Sequence, residues 1–537
     1  MAAFDPLYYP YSSRRNVIMA KKGMVATSQP LAAQAGLDIL KKGGNAIDAA
    51  IATAACLTVL EPTSNGIGGD AFALVWTKGK LHGLNASGPA PQSISIEAVK
   101  ALGHEVMPSH GLLPVTVPGA PAAWAALSKR FGKLPLTEVL QPAIDYAEQG
   151  FPISPTLGYY WAAAYHSFKK NVQGEAFQAW FDTFAPGGRA PRIGEIWRSP
   201  DHGATLRLIA ETNAEAFYRG ELAEKIDQFF RKHGGFLSKE DLADYHPEWV
   251  DPIKINYRGY DVWEIPPNGQ GIVALMALNI LKGFHFSDQE SVDTYHTQLE
   301  AIKLAFADGK KFVTDPREMR VKVEELLSDH YAAQRRQLIS STARLPEAGE
   351  PPAGGTVYLA AADEEGNMIS FIQSNFQGFG SGLVVPGTGI SLQNRGKDFS
   401  LDPNHANALQ PGKKTYHTII PGFLTKGEQA VGPFGVMGGY MQPQGHVQVV
   451  MNLIDFQLNP QAALDRPRWR WIKDNVVEVE PNFPDHIAQA LARRGHEIRK
   501  AIDHTGFGRG QIIVRDPETG VLTGGTEPRT DGQIAAW

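Results

Sequence analysis

A threonine at the junction of a loop and a predicted strand is the residue in this 537-residue chain best suited to nucleophilic chemistry. Residues 347–355 (EAGEPPAGG) are rich in proline and glycine and predict a loop, while the apolar run 357–363 predicts a strand. If the bond before Thr356 breaks, this residue gains an α-amine that titrates near about 8 and can accept the proton of its own hydroxyl. For a Gly-Thr pair alone, an ordinary loop-to-strand junction is the simpler interpretation.

Two adjacent glycines, Gly438 and Gly439, follow another predicted strand. Backbone N–H groups exposed at such a pair can hold the negative oxygen that forms when a hydroxyl attacks an amide carbonyl. A Gly-Gly pair is more often a simple turn, so the pair alone does not decide between an oxyanion hole and a turn.

Other catalytic patterns are weak in this sequence. The sixteen histidines show no HExxH motif and no paired ligand spacing, so we expect no metal site. A GxSxG elbow is absent from the sequence, which argues against a serine hydrolase of the α/β type. The glycine clusters at 66–69 and 378–382 do not have the context of a phosphate-binding loop.

The composition is that of a globular protein with a large core, at 43% hydrophobic and 20% charged residues. A net charge of −5 gives no electrostatic reason to expect nucleic acid or an anionic membrane as a partner. Cys56 lies in an apolar run and is predicted to be a core residue, so no disulfide within one chain is expected. The N-terminus shows no secretory pattern, and we expect a cytoplasmic protein.

The elements that must position these residues alternate between helices and strands. Helices are predicted over 30–42 and 46–60, a strand over 71–76, a helical region over 118–150, one long helix over 292–312, and a hairpin of 511–514 with 521–523. Predicted strands dominate after Thr356. The pattern predicts a mixed α/β fold with layered sheets.

Short segments along nearly the whole chain match, in order, those of a known family. The segments are 43–50 (GGNAIDAA), 61–70 (EPTSNGIGGD), 117–119, 234–235, 241–245, Thr356 with Asp363 and 366–367, 379–382, 398–400, 438–439 and 527–529. In these segments the chain resembles the γ-glutamyltranspeptidase family of N-terminal nucleophile hydrolases, particularly its glutathione hydrolase-like, cephalosporin-acylase-like and amidohydrolase-like branch.

The resemblance implies a four-layer αββα sandwich made by one precursor that cuts itself between Gly355 and Thr356. Residues 1–355 would form a large subunit and residues 356–537 a small subunit, both interwoven in one domain. Thr356 would be the nucleophile, and Ser374 would supply a second hydroxyl in contact with it. No metal or organic cofactor is required, because the chain makes its own nucleophile.

Further site residues are carried over from the same resemblance. Gly438 and Gly439 match the glycines of the family's oxyanion hole, and Asp398 matches the acid that holds the substrate's α-amino group. The expected partner is a small-molecule amide or γ-glutamyl substrate, with no nucleic acid or membrane. A homodimer of the two-subunit unit is left open.

The sequence departs from the family at positions that would bind the acyl group. Ser87 stands where members acting on glutathione have an arginine, and the family's serine pair falls on His417 and Thr418. The family's substrate-binding asparagine falls near Asn375, one residue out of register. Arg395 replaces a polar or acidic residue that helps to hold the α-ammonium.

Because a guanidinium only donates hydrogen bonds, Arg395 would repel an ammonium and could bind a carboxylate through two parallel bonds. We therefore expect a Thr-nucleophile amidohydrolase or acyltransferase whose acyl group carries a carboxylate, either γ-glutamyl-like or dicarboxylic. Other residues could do the same work from other loops. A true glutathione hydrolase or γ-glutamyltransferase is the alternative within this mechanism, and an unprocessed, non-catalytic ligand-binding relative is the alternative of another class.

Overall fold

The computed structural model describes residues 10–11, 15–345 and 355–537, and two seven-stranded antiparallel sheets form its centre. The first sheet has the order β21 (Gln533–Ala536), β2 (Gly23–Thr27), β10 (Gly355–Asp363), β11 (Met368–Phe376), β3 (Asp70–Thr77), β4 (Lys80–Ala86) and β7 (Glu248–Val250). The second has the order β1 (Ile18–Ala20), β20 (Leu522–Thr526), β19 (Arg509–Arg515), β15 (Gln429–Met437), β14 (Gly422–Lys426), β9 (Tyr260–Glu264) and β8 (Ile253–Tyr257). The predicted loop lies outside the described residues except for Gly355.

Three smaller sheets and two groups of helices surround this pair. The small sheets are β5 (Phe151–Pro152) with β6 (Ile196–Trp197), β12 (Val384–Val385) with β13 (Ile390–Ser391), and β16 (Trp469–Lys473), β17 (Val476–Val479) and β18 (Glu497–Lys500). The helices are α1 (Pro30–Lys41), α2 (Ala46–Leu60), α3 (Ile96–Ala101), α4 (Ala120–Phe131), α5 (Leu136–Gln149), α6 (Pro155–Asn171), α7 (Gln178–Phe184), α8 (Pro200–Thr212), α9 (Glu215–Arg219), α10 (Glu221–His233), α11 (Lys239–Ala243), α12 (Gly271–Leu281), α13 (Val292–Phe312), α14 (Val323–Leu326), α15 (Asp329–Arg336), α16 (Met441–Ile454), α17 (Pro460–Asp465) and α18 (Asp485–Arg493).

Successive side chains of β10 alternate between two hydrophobic cores, which shows how the layers stack. Val357, Leu359 and Ala361 belong to the core formed with α1 and α2, whereas Tyr358 and Ala360 belong to the core between the two sheets. Successive side chains of a strand point to opposite faces, so one strand serves both layers. Helices α12, α13 and α16 pack on the outer face of the second sheet. The predicted αββα sandwich is confirmed.

Local signals explain several of the helix ends. Asn45 caps α2 through a capping box with Asp48, and all fifteen residues of this helix are buried. The predicted helical region 118–150 consists of two helices, α4 and α5. Pro135, with extended backbone geometry, precedes α5 and separates it from α4, because proline disfavours helical geometry in the residue before it.

Strands from both sides of the Gly355–Thr356 bond alternate in each central sheet. In the first sheet, β10 and β11 lie between β2 and β3, and in the second sheet β14 lies beside β9. Neither sheet is complete without both parts of the chain. Within the described ranges, no helix is both long and apolar enough to cross a membrane.

Candidate active site

Thr356 and Ser374 lie together at the ends of two neighbouring central strands. The register shift between Gly355 and Val357 places a bulge at the start of β10, and the Thr356 hydroxyl oxygen lies 3.0 Å from that of Ser374. Both side chains are fully buried. The Ser374 oxygen also accepts a hydrogen bond of 2.7 Å from the backbone N–H of Phe376, which fixes the serine beside the threonine.

Gly438 and Gly439 form the turn that joins β15 to α16. Their φ angles of 139° and 60° lie in the region that favours glycine. Their carbonyls accept hydrogen bonds from Met441 and Gln442 at the start of the helix. Neither glycine N–H donates a hydrogen bond to the described part of the chain, as an oxyanion hole requires.

Gln270, at the start of α12, connects this turn to the segment that carries His417 and Thr418. Its amide nitrogen donates to the carbonyls of Thr418 at 2.6 Å and Gly439 at 2.9 Å. Its side-chain oxygen accepts a hydrogen bond of 3.0 Å from the Tyr416 hydroxyl. Because all of these groups are buried, Gln270 positions the Gly439 turn rigidly.

Arg395 is buried beside β11 and has a fixed orientation. Its Nη1 donates to the Thr418 hydroxyl at 2.7 Å, and its guanidinium carbon lies 4.2 Å from the centre of the Phe376 ring. Its Nε lies 3.8 Å from a carboxylate oxygen of Asp70, whose strand position is opposite Ser374. Through Phe376 and Asp70, the arginine is connected to the strand that carries Ser374.

Asp70 balances part of this charge and also fixes the tautomer of His417. The imidazole Nε2 of His417 lies 2.9 Å from the Asp70 carboxylate, and Nδ1 accepts from the backbone N–H of Ile419. Burial lowers the pKa of His417 well below its usual value, with the charge of Arg395 acting in the same direction. A neutral His417 thus donates from Nε2 to Asp70.

Burial also changes the protonation of the two acids around Arg395. It raises the pKa of Asp70 to about 7, although the Arg395 charge and backbone N–H groups oppose the change. It raises the pKa of Asp398 to about 6, opposed by the charges of Arg395, Lys397 and Lys310. The Asp398 carboxylate lies beside the Tyr440 hydroxyl, and its Oδ2 has no hydrogen-bond partner within the described ranges.

Two predicted site residues are engaged elsewhere. The Ser87 hydroxyl donates to the side chain of Asn85 at 2.7 Å and accepts from Asn268 at 3.2 Å. The Asn375 amide donates to Ser391 at 3.1 Å, on the opposite face of β11 from Ser374. The structure therefore does not place Asn375 with the Thr356 group. Ser87 is held in an uncharged hydrogen-bond network with two asparagine side chains.

The structure adds three residues to the site that the sequence did not single out: Asp70, Gln270 and Tyr440. Asp70 ended one of the matched segments, and a buried partner for Arg395 was the signal that could have identified it. Gln270 and Tyr440 had no comparable signal, because each acts through contacts that only the fold creates.

A four-layer αββα sandwich with a threonine at the head of a central strand, beside a second hydroxyl and a glycine turn, is the architecture of the N-terminal nucleophile hydrolases. The family model described as gamma-glutamyltranspeptidase matches residues 32–537. The chain belongs to the γ-glutamyltranspeptidase family and is an enzyme of its amidohydrolase and acylase type.

Relatives along the full length include enzymes with different substrates in their names. The glutathione hydrolase-like YwrD proenzyme of Bacillus subtilis is 37% identical, covering 96% of this chain and 98% of its own. The oxamate amidohydrolase proenzyme of Klebsiella pneumoniae is 33% identical, with the same coverage. The crystal structure of cephalosporin acylase from Bacillus halodurans is 69% identical, with a TM-score of 0.96 and 99% of both chains covered. The proenzyme names support a precursor that is processed into subunits.

Proposed function

We propose that this protein cuts itself before Thr356 and then hydrolyses amides whose acyl group carries a carboxylate. The α-amine of Thr356 accepts the proton of its own hydroxyl, and the hydroxyl oxygen attacks the amide carbonyl. Gly438 and Gly439 stabilise the oxyanion, and the proton passes to the departing amine. Water then hydrolyses the ester on Thr356.

The choice of acyl group rests on the buried guanidinium donors of Arg395. The side chain is only 1% exposed, yet Nε and Nη2 make no hydrogen bond within the described residues. Unsatisfied buried donors on a charged group are costly, so a ligand that accepts from them is favoured. A carboxylate at the end of the acyl chain supplies two such acceptors in the plane of the guanidinium.

Asp398 Oδ2, which has no hydrogen-bond partner among the residues that the structure describes, favours a second candidate, the γ-glutamyl group. That acyl group carries an α-ammonium as well as a carboxylate, so Asp398 could accept from the ammonium while Arg395 donates to the carboxylate. The two candidates share the mechanism and differ in one amino group. The name of the Bacillus halodurans relative supports an acylase, and the name of the Bacillus subtilis relative supports a glutathione hydrolase.

A set of three p-nitroanilides separates these possibilities on the processed protein. We expect glutaryl-p-nitroanilide to be hydrolysed with a higher kcat/KM than the butyryl compound, which has no carboxylate, and than the γ-glutamyl compound. Arg395→Gln should lower kcat/KM for the glutaryl compound by about 100-fold, because a buried charged contact is lost, and change the butyryl value little. The exposed Arg189 provides the control variant Arg189→Gln.

Equal turnover of the butyryl and glutaryl compounds would contradict the carboxylate requirement. A strong preference for the γ-glutamyl compound would instead identify a γ-glutamyl hydrolase or transferase.

A further inference from the structure

A cleft of about 870 Å³ opens beside the oxyanion glycines, on a side of the site with a different chemistry from the acyl side. Its lining includes Ser64, Gly378 and Gly438, and the Ser64 carbonyl accepts a hydrogen bond from the backbone N–H of Asn375, next to Ser374. The acyl side, around Arg395, is buried and charged. An amide bound across Thr356 therefore has one half in each environment.

One wall of the cleft is a stripe along α6. Tyr159, Ala163 and Ser167 follow one another at a spacing of four residues, so they lie on one face of the helix. Tyr159 is 59% exposed and lines the cleft together with Tyr160, and the two rings meet edge to face with their centroids 5.4 Å apart. The small side chains beyond the two rings leave space for a flat group.

The cationic side chains of the cleft already have partners. Arg509 lies 4.5 Å from the centre of the Tyr160 ring and 3.2 Å from the Glu61 carboxylate. Arg529 is paired with Glu480 and Glu527. Because these two guanidinium charges are compensated, the cleft offers aromatic contact rather than a free cation.

We propose that this cleft binds the amine half of the substrate and that the amines it takes carry a flat ring. This inference rests on the proposed function and names the leaving group that the proposed function leaves open. The same cleft binds a ring-bearing amine in the reverse direction. The amine nitrogen then attacks the Thr356 ester, its proton passes to the α-amine, and Thr356 leaves as the hydroxyl.

The test compares two amides with similar intrinsic reactivity, glutaryl benzylamide and glutaryl methylamide, on the processed protein. Tyr159→Ala should lower kcat/KM for the benzylamide about threefold to tenfold, the range expected for loss of one aromatic contact, and change the methylamide value less than twofold. Tyr159→Phe, which keeps the ring, should restore the benzylamide value. Tyr260→Ala, at a half-buried tyrosine of the second sheet outside the cleft, is the matched control and should change neither.

The partition of the glutaryl ester between water and an added amine gives a second readout. Benzylamine added during hydrolysis of glutaryl-p-nitroanilide should yield glutaryl benzylamide in wild type and less of it in Tyr159→Ala. If Tyr159→Ala lowers both amides equally, or neither, the inference is overturned while the proposed function stands. If the wild-type protein hydrolyses neither amide nor the p-nitroanilide, the proposed function itself fails and the inference falls with it.

Discussion

At the scale of single residues, the charges around the nucleophile are mutually dependent. Arg395 interacts electrostatically with both Asp70 and Asp398, and its charge opposes the rise in pKa that burial causes in both acids. Burial lowers the pKa of Arg395 from its usual value, while both acids act against that change. Protonation of either acid therefore removes a negative charge that stabilises the charged guanidinium of Arg395.

A pH dependence follows for substrates that carry an ammonium. Asp398 is a carboxylate above its pKa of about 6 and neutral below it, so its attraction for an α-ammonium is lost as pH falls. The ratio of KM for the γ-glutamyl p-nitroanilide to KM for the glutaryl compound should rise about tenfold from pH 7 to pH 5. Steady-state kinetics across this range measure the ratio.

Asp398→Asn is the control for that measurement, because it cannot ionise. Its KM ratio should be high and independent of pH. A wild-type ratio that stays constant between pH 5 and pH 7 would remove Asp398 from the ammonium site.

At the scale of elements, the turn between β15 and α16 sets the position of Gly438 and Gly439, the proposed oxyanion donors. Gly439 has a φ of 60°, which matches the φ of 58° at Gly427 in the turn between β14 and β15. An alanine at either position is strained by about 1 kcal/mol. An alanine therefore causes the same backbone strain at both positions, but only Gly439 lies at the proposed oxyanion hole.

Gly439→Ala should lower kcat about 100-fold or more, because relief of the strain displaces an N–H that holds the oxyanion. Gly427→Ala should lower the melting temperature to a similar extent and keep wild-type kcat. Thermal unfolding and turnover of glutaryl-p-nitroanilide measure the two effects. Equal kcat values in the two variants would rule out Gly439 as part of the oxyanion hole.

The sequence identified elements better than contacts. The capped helices α1 and α2, the long helix α13 and the strand after Thr356 follow local patterns, and the structure confirms them. The pairing of Thr356 with Ser374 required the family resemblance. The partners of Arg395 could not be read from the sequence, since Asp70 is 325 positions away and Thr418 is held by Gln270.

At the scale of the whole molecule, processing should divide the chain without separating its parts. Denaturing electrophoresis should show fragments of about 39 and 20 kDa, in proportion to 355 and 182 of the 537 residues of the 58.5 kDa chain. Native size exclusion should keep the fragments together, because both sheets contain strands of each. Intact mass should place the cut between Gly355 and Thr356.

Thr356→Ala is the matching variant and should remain a single inactive chain. Processing or activity in Thr356→Ala would show that another nucleophile acts. A wild-type protein that stays at full length after prolonged incubation would favour the non-catalytic alternative.

The alternation of strands from both fragments has a consequence for how the mature protein can be lost and regained. The precursor folds as one chain, so its folding is a first-order reaction. After the cut, the same sheets can form again only if two separate chains meet, and refolding becomes second order and dependent on concentration. If the precursor cuts itself as proposed, the mature fragments cannot refold as a single chain, and the folded state then persists because it unfolds slowly.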